Sequence, residues 1–306
     1  MQGAFVTVSP DHSVHAYWYD ASSINVRKST DQGLTFASAV TVVSGLIGGV
    51  NGDLGLTGLR QGTGSFSRFR SNQFPHAAVN PVNGNIYVIY DNDGTGSDKA
   101  DIFFEQSTDG GATWSAPLKV NDDATTTDQW QPTILVSPAG DRLGIFYYSR
   151  QEDPASNNLF KYYGRTATIS GGTVTFAASA PVSDTASLPE FGRDDVVNSV
   201  YMGDYQFAFA TPGFFHIAWA DNCDDVPGGA PRKDPNMYYD KIPLGLSVVS
   251  SDPACGSFVV STAPTDFIIN LSDPVVPATV EATDFTVNGT PADFVYVKQR
   301  QCDDHF

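Results

Sequence analysis

One eight-residue pattern occurs twice in this chain, and it constrains local structure more tightly than any other string. Ser29-Thr30-Asp31-Gln32-Gly33-Leu34-Thr35-Phe36 returns as Ser107-Thr108-Asp109-Gly110-Gly111-Ala112-Thr113-Trp114, giving Ser-x-Asp-x-Gly-x-Thr-aromatic. Each copy stands between two strand-like runs and reads as a hairpin turn. The Asp carboxylate accepts bonds from the turn's own N–H groups, glycine supplies positive φ, and the aromatic ring anchors the next strand. A turn of fixed chemistry that recurs between strands predicts a repeat architecture.

Around these turns a four-strand unit recurs up to about residue 243. The first unit places strands at Ala4–Ser9, Ser13–Tyr19, Ile24–Ser29 and Leu34–Val43. The second places them at Pro75–Asn80, Asn85–Tyr90, Asp101–Ser107 and Ala112–Val120, the third at Pro132–Ser137, Arg142–Ser149, Leu159–Thr168 and Thr173–Val182. The fourth keeps Tyr205–Ala210, Phe214–Ala220 and Asn236–Ile242, with no evident last strand. First and second strands are joined by Pro-containing β-turns such as Ser9-Pro10-Asp11 and Ser137-Pro138-Ala139-Gly140. Ser170-Gly171-Gly172-Thr173 stands where a third, worn copy of the opening motif would fall. Four strands per repeat, with such turns, is the requirement of a β-propeller blade; independent hairpins in a sandwich are the competing arrangement.

Composition agrees with strands. Tyr, Phe, Val and Thr are plentiful beside 28 Gly and 19 Pro, and no long segment spaces its apolar residues with a helical period. A formal charge of −17 would repel a phosphate backbone, which excludes nucleic acid as the expected partner. The same acidity suits a secreted or cell-surface protein. No segment is long and apolar enough to span a membrane as a helix. The chain opens directly on a strand-like run with no leader visible, so Met1 reads as a truncation or an internal start. Cys223, Cys255 and Cys302 form an odd, widely spaced set that indicates neither a zinc site nor a disulfide framework; a Cys223–Cys255 bridge stays open.

The texture changes after residue 245. Residues 246–257, with Ser250-Ser251-Asp252-Pro253, read as a linker, and 258–298 as short strands divided by Pro and Asn-Gly turns. That span is short for an immunoglobulin-like sandwich, which usually needs about 100 residues. Residues 299–306 do not continue the pattern.

The repeated turns resemble the Asp-box, or bacterial neuraminidase repeat, of sialidase-like propellers. Ser29, Asp31, Gly33 and Phe36 in one copy, and Ser107, Asp109, Gly111 and Trp114 in the other, carry that resemblance. Gly203-Asp204-Tyr205 followed by His216-Ile217-Ala218-Trp219-Ala220-Asp221 is similar to secreted bacterial members. Thr283-Asp284-Phe285-Thr286-Val287-Asn288-Gly289 is similar to Ig-like modules on bacterial surface proteins. The resemblance implies an all-β fold: about four blades of a six-bladed ring over 1–245, then a partial Ig-like segment. It further implies a protein acting on glycans, either an exo-glycoside hydrolase cleaving terminal sialic acid or a non-catalytic binding and adhesion propeller. Attachment to a cell surface would run through the parent protein.

Blade connectivity then sorts the loops. The repeated turns join third to fourth strands, so Asp31 and Asp109 are structural. The opposite face receives the second-to-third loops, with Asp20, Asp91, Arg150 and Asp221, and the segments carrying Arg193 and Tyr205. A retaining sialidase needs arginines that grip a carboxylate, a Tyr nucleophile with a carboxylate partner, and an acid/base Asp. These six residues are the catalytic candidates at the level of the face, with Tyr201 an alternative phenol. Arg-Ile-Pro, which sialidases carry near the first catalytic arginine, is absent, so no single role transfers. Asp91-Asn92-Asp93-Gly94 matches the opening of a calcium loop, making Asp91 and Asp93 the only metal candidates. Thr95 at position five and Ile102 at position twelve break the match. No cofactor is expected, calcium apart.

Overall fold

The structure is a computed structural model and describes residues 1–48, 51–94, 96–192, 200, 202, 206–225, 233–245, 248–253, 265–271, 280–287 and 289–297. They fall into two compact units, Met1–Leu244 and Gly245–Phe306.

The first unit is a series of up-and-down antiparallel sheets. Sheet 1 holds β1 (Gln2–Val8), β2 (Val14–Asp20), β3 (Ser23–Ser29) and β4 (Val40–Ser44), in chain order. A hairpin of β5 (Leu56–Arg60) and β6 (Ser65–Phe69) follows. Sheet 2 is β7 (His76–Val79), β8 (Ile86–Asn92), β9 (Asp101–Ser107) and β10 (Leu118–Lys119). Sheet 3 is β11 (Gln129–Val136), β12 (Arg142–Ser149), β13 (Lys161–Ser170) and β14 (Thr173–Phe176), with β15 (Ala180–Pro181) also on β13. The short β16 (Glu190–Phe191) pairs in parallel with β5. Sheet 4 is β17 (Phe207–Ala210), β18 (Phe214–Asp225) and β19 (Lys233–Pro243).

Burial along the second strands reveals how the sheets stack. In β2 only alternate residues, His15, Tyr17 and Tyr19, are buried, as a strand covered on one face requires. In β8 and β12 nearly every residue is buried, so sheets 2 and 3 are covered on both faces. β18 alternates again, burying Phe215, Ile217 and Trp219. Three cores fill the gaps. Tyr17, Tyr19, Ile24 and Val26 meet Ile86, Val88 and Tyr90 between sheets 1 and 2. Tyr87, Ile89 and Phe104 meet Ile134, Ile145 and Tyr163 between sheets 2 and 3. Phe146, Tyr148 and Tyr162 meet Phe215, Ile217 and Trp219 between sheets 3 and 4, where Leu56, Phe69 and Phe191 also insert. The first strands touch in sequence, β1 with β7, β7 with β11, and β11 with β17.

The expected strands are present, with trimmed ends. The fourth strands of sheets 1 and 2 begin later than expected, because the turn's own hydrogen bonds hold the chain through Thr35 and Thr113. At Ser170–Thr173 the chain instead makes a two-residue hairpin, with Gly171 and Gly172 at φ 56° and 84°; no carboxylate takes part. The β5–β6 hairpin had no sequence signal beyond a long segment between units. In the second unit β20 (Val248–Asp252), inside the expected linker, pairs with β21 (Ile268–Leu271). β22 (Thr286–Val287) pairs with β23 (Thr290–Pro291) across the predicted Asn-Gly turn region. Residues 299–306 lie outside the described residues.

Candidate functional site

The two ends of the sheet stack carry different chemistry. At one end sit the repeated turns, and their hydrogen bonds coincide almost atom for atom. Ser29 and Ser107 donate from Oγ to the Asp Oδ1 at 2.7 and 2.8 Å, and the Gly33 and Gly111 N–H groups return to Oγ at 2.8 Å. Thr35 and Thr113 donate from N to Oδ1 and from Oγ1 to Oδ2. Led by the Thr hydroxyls, these donors hold the Asp31 and Asp109 carboxyls down at about 2. Trp114 packs into the first core, whereas Phe36 is 40% exposed and lies outside the three cores, contrary to expectation. The second turn also keys sheet 2 to sheet 1, through the Gly110 carbonyl oxygen 3.2 Å from His15 Nε2.

At the other end β2, β8 and β18 carry Asp20, Asp91 and Asp221, and Arg150 follows β12. Their environments differ sharply. Asp20 is exposed on sheet 1, 3.4 Å from the Met1 amino nitrogen. Asp91 is fully buried: Oδ2 accepts from the Gln131 N–H at 3.2 Å, and Oδ1 has no partner. Burial pushes its carboxyl up to about 7. Asp221 is buried beside sheet 3, accepting from Ser187 Oγ and from Trp219 Nε1, and burial raises it as well. Arg193 and Tyr205, like Tyr201, lie outside the described residues. Asp93 is half-buried, and among the described residues no three His, Cys, Asp or Glu side chains gather to hold a metal. Cys223 carries a free thiol whose Sγ donates to Tyr238 Oη at 2.8 Å; Cys255 and Cys302 lie outside the described residues.

Arg150 and Asp128 underlie a polar cleft at this end, among the described residues. Arg150 Nη1 donates to Asp128 Oδ2 at 2.9 Å, its Nη2 to the Thr57 carbonyl, and its guanidinium lies 5.0 Å from the Trp130 ring centre. Asp128 is saturated further by the Lys99 N–H at 2.8 Å and Asn157 Nδ2 at 3.0 Å. Arg150 is itself wholly buried, so it shapes the floor rather than offering a surface. The cleft above, about 160 Å³, is walled by Ser97, Lys99, Ser156, Asn157 and Asn158. These side chains present donors and acceptors with one ammonium group, a set that suits a small hydroxylated ligand.

Asp128, Lys99 and Asn157 were not among the sequence candidates. They come from three different loops, and Asp128 joins them, accepting from the Lys99 N–H, from Asn157 Nδ2 and from Arg150 Nη1. The sequence offered no spacing that ties these positions together. Three Tyr–carboxylate pairs also emerge: Tyr90–Glu105 at 2.8 Å, Tyr163–Glu152 at 2.7 Å and Tyr238–Asp224 at 2.7 Å. The first is buried in sheet 2, where burial pushes Glu105 up to about 7.

Fold and site together define an all-β protein of stacked antiparallel sheets with a polar cleft at one end of the stack. No protein-family model matches the chain, and no curated protein matches it. Solved structures that align with the chain include the GH93 alpha-L-arabinofuranosidase of Fusarium graminearum with arabinobiose, at 12% identity and TM-score 0.45 over 78% of this chain. A Hadza microbial sialidase aligns at 15% identity and TM-score 0.45 over 78%. The NanB sialidase of Streptococcus pneumoniae aligns at 11% and 0.41 over 76%. The chain spans 61%, 44% and 29% of those three structures.

Proposed function

We propose that residues 1–244 form the blades of a sialidase-like β-propeller that acts on glycans, with the cleft over Arg150 as its glycan site. The single observation behind this reading is the cleft wall itself. Lys99, Asn157, Asn158, Ser97 and Ser156 line it above an Arg150–Asp128 pair that holds the loops in place. Sugar hydroxyls both donate and accept, which such a wall matches, and the Lys99 ammonium would pair with an acidic sugar's carboxylate. Cleavage of terminal sialic acid is the hydrolytic form of this reading; the repeated turns speak for the fold and not for the reaction. Extracellular or cell-surface location and a second, Ig-like module belong to the same reading.

A non-catalytic glycan-binding role is the second reading, and a specific observation favours it. Asp91 and Asp221, two of the candidate acids, are buried and engaged within the core instead of facing the cleft. The test combines release of a fluorescent leaving group from a sialoside with binding to a glycan array, for the protein and for Lys99→Ala and Asn158→Ala. Array binding that weakens by roughly tenfold in both variants is expected, since each removes one or two hydrogen-bonding groups. Turnover would select the hydrolase, and binding without turnover the lectin-like role. Binding to no glycan, or binding indifferent to both substitutions, would sink the proposal.

A further inference from the structure

The core between sheets 3 and 4 holds an unbroken stack of five indole and phenol rings. Trp130 stacks on Tyr148 with ring centres 5.2 Å apart, and Tyr148 meets Tyr162 edge-on at 5.1 Å. Tyr162 stacks on Trp219 at 5.2 Å, and Trp219 on Tyr238 at 5.9 Å. Contacts of this kind stabilise a core, but packing asks only for apolar area. Phenylalanine would serve that purpose, as Phe160 does against Trp130 and Tyr148. Indoles and phenols are also the rings of a protein that give up a single electron most readily. The stack begins under Arg150, whose guanidinium lies 5.0 Å from the Trp130 ring centre beneath the cleft. It ends at half-buried Tyr238, whose Oη accepts from the free thiol of Cys223 at 2.8 Å and donates to Asp224 Oδ2 at 2.7 Å.

The surroundings of the rings set a direction. The Arg150 guanidinium opposes a positive charge on Trp130, whereas the Asp221 oxygen that accepts from Trp219 Nε1 at 3.3 Å favours one there. A phenol loses an electron readily only where its proton can leave as well. Tyr162 Oη is buried with no partner among the described residues, and Tyr148 Oη donates to the Ala220 carbonyl, a poor base. Tyr238 alone of the three phenols donates to a carboxylate, and Asp224 is exposed, so the proton has a way to water. Charge entering at Trp130 therefore comes to rest at Tyr238.

We propose that these five rings form a one-electron relay that carries oxidising equivalents from beneath the cleft to the Tyr238–Cys223 pair. The co-reactant is a diffusible one-electron oxidant in the cleft. It takes an electron from Trp130, which is refilled in turn from Tyr148, Tyr162, Trp219 and Tyr238. As Tyr238 loses its electron, its phenolic proton passes to Asp224. Cys223 then gives its S–H hydrogen, electron and proton together, to the Tyr238 oxygen. That restores the phenol and leaves a thiyl radical. In balance the oxidant gains one electron, Cys223 loses one, and one proton departs through Asp224. The thiol bears the oxidation and the cleft is spared, whatever ligand the cleft holds.

The test starts the charge at one end and looks for it at the other. A ruthenium photo-oxidant is coupled to an azidophenylalanine introduced at position 156, an exposed place on the cleft wall, and a nitrone traps the thiyl radical for peptide mass spectrometry. After a flash with an external quencher, the nitrone adduct is expected on Cys223. Tyr162→Phe keeps the ring and removes the electron donor in mid-relay. Its hydroxyl bonds to nothing, so Tm should hold. The yield on Cys223 should fall at least about tenfold, the effect of raising one step's barrier by about 1.4 kcal/mol. Tyr238→Phe, at the half-buried end, should give the same loss without a change in the core. A Cys223 adduct that neither substitution reduces would mean that the thiol is attacked from solvent, and would overturn the proposal. So would a flash that leaves Cys223 of the otherwise wild-type chain without adduct.

Discussion

Arg150 and Asp128 form an ion pair, Nη1 to Oδ2 at 2.9 Å, with both side chains buried. Removing two charges from water is costly, and attraction between them offsets that cost only when the remaining polar atoms are also paired. Here Asp128 has the Lys99 N–H and the Asn157 amide, and Arg150 has the Thr57 carbonyl and the Trp130 ring. Only Nε of Arg150 lacks a partner. Desolvation accordingly lowers the guanidinium's affinity for its proton, with Asp128 opposing. The pair therefore determines where three loops meet, and the cleft follows from it.

Breaking that pair should be expensive. Arg150→Met would leave a buried carboxylate without its countercharge, and we expect a loss of about 3–5 kcal/mol in urea unfolding. A double-mutant cycle with Asp128→Asn should return a coupling of more than about 1 kcal/mol. Losses that simply add would show that the two side chains act independently.

Asp91 should make stability fall as pH rises. Its carboxyl stands at about 7 in the folded chain against 3.8 ordinarily, because it is buried with one oxygen unpaired. Below pH about 4 both states hold the proton. Between about 4 and 7 the unfolded chain releases it first, so the folded state loses ground, and above about 7 the loss is complete. The ceiling is roughly 4 kcal/mol. Asp91→Asn should thus gain on wild type in Tm between pH 5 and pH 8. A difference that is flat across that range would contradict the assignment.

Asp109 should behave in the opposite sense. Its carboxyl is held at about 2 by Thr113 and Ser107, so its contribution is present above the unfolded value and disappears as pH falls toward 2. Asp109→Ala should lower Tm by roughly 3 °C at pH 7, and not at all near pH 2. An equal deficit at both pH values would mean that the turn depends on something other than the ionised carboxylate.

Gly144 is a steric prediction. A Cβ there would sit 2.8 Å from Phe215 and 3.0 Å from Phe146, at the contact of sheets 3 and 4. Gly144→Ala should cost about 1–3 kcal/mol through overpacking. Combining it with Phe215→Leu should cost less than the sum of the two changes. Strict additivity would place the strain elsewhere.

Much of the fold was legible beforehand. The Ser-x-Asp-x-Gly-x-Thr turns formed as their chemistry required, since every donor and acceptor lies within eight residues. Strand Ser13–Tyr19, placed by its position in the repeat, likewise formed as β2, and the structure added that it buries one face, His15, Tyr17 and Tyr19. The β5–β6 hairpin was not legible, because Ser65-Phe66-Ser67-Arg68-Phe69 is mostly exposed and carries little apolar signal. Of the candidate site residues, connectivity alone placed Asp20, Asp91, Arg150 and Asp221 at the same end of the stack. It did not separate the exposed Asp20 from the buried three.

By itself, then, the sequence determined the turns, the strand periodicity and the end of the sheets at which second strands finish, all matters of local hydrogen bonding and side-chain alternation. Tertiary structure alone decided which carboxylates lost their water and which found a partner. Arg150 meets Asp128 across 22 residues and Thr57 across 93. The reason is that burial of a strand's second face, and the electrostatics that follow from it, depends on which sheet stacks there. That neighbour is distant in the chain and leaves no mark in the strand's own period.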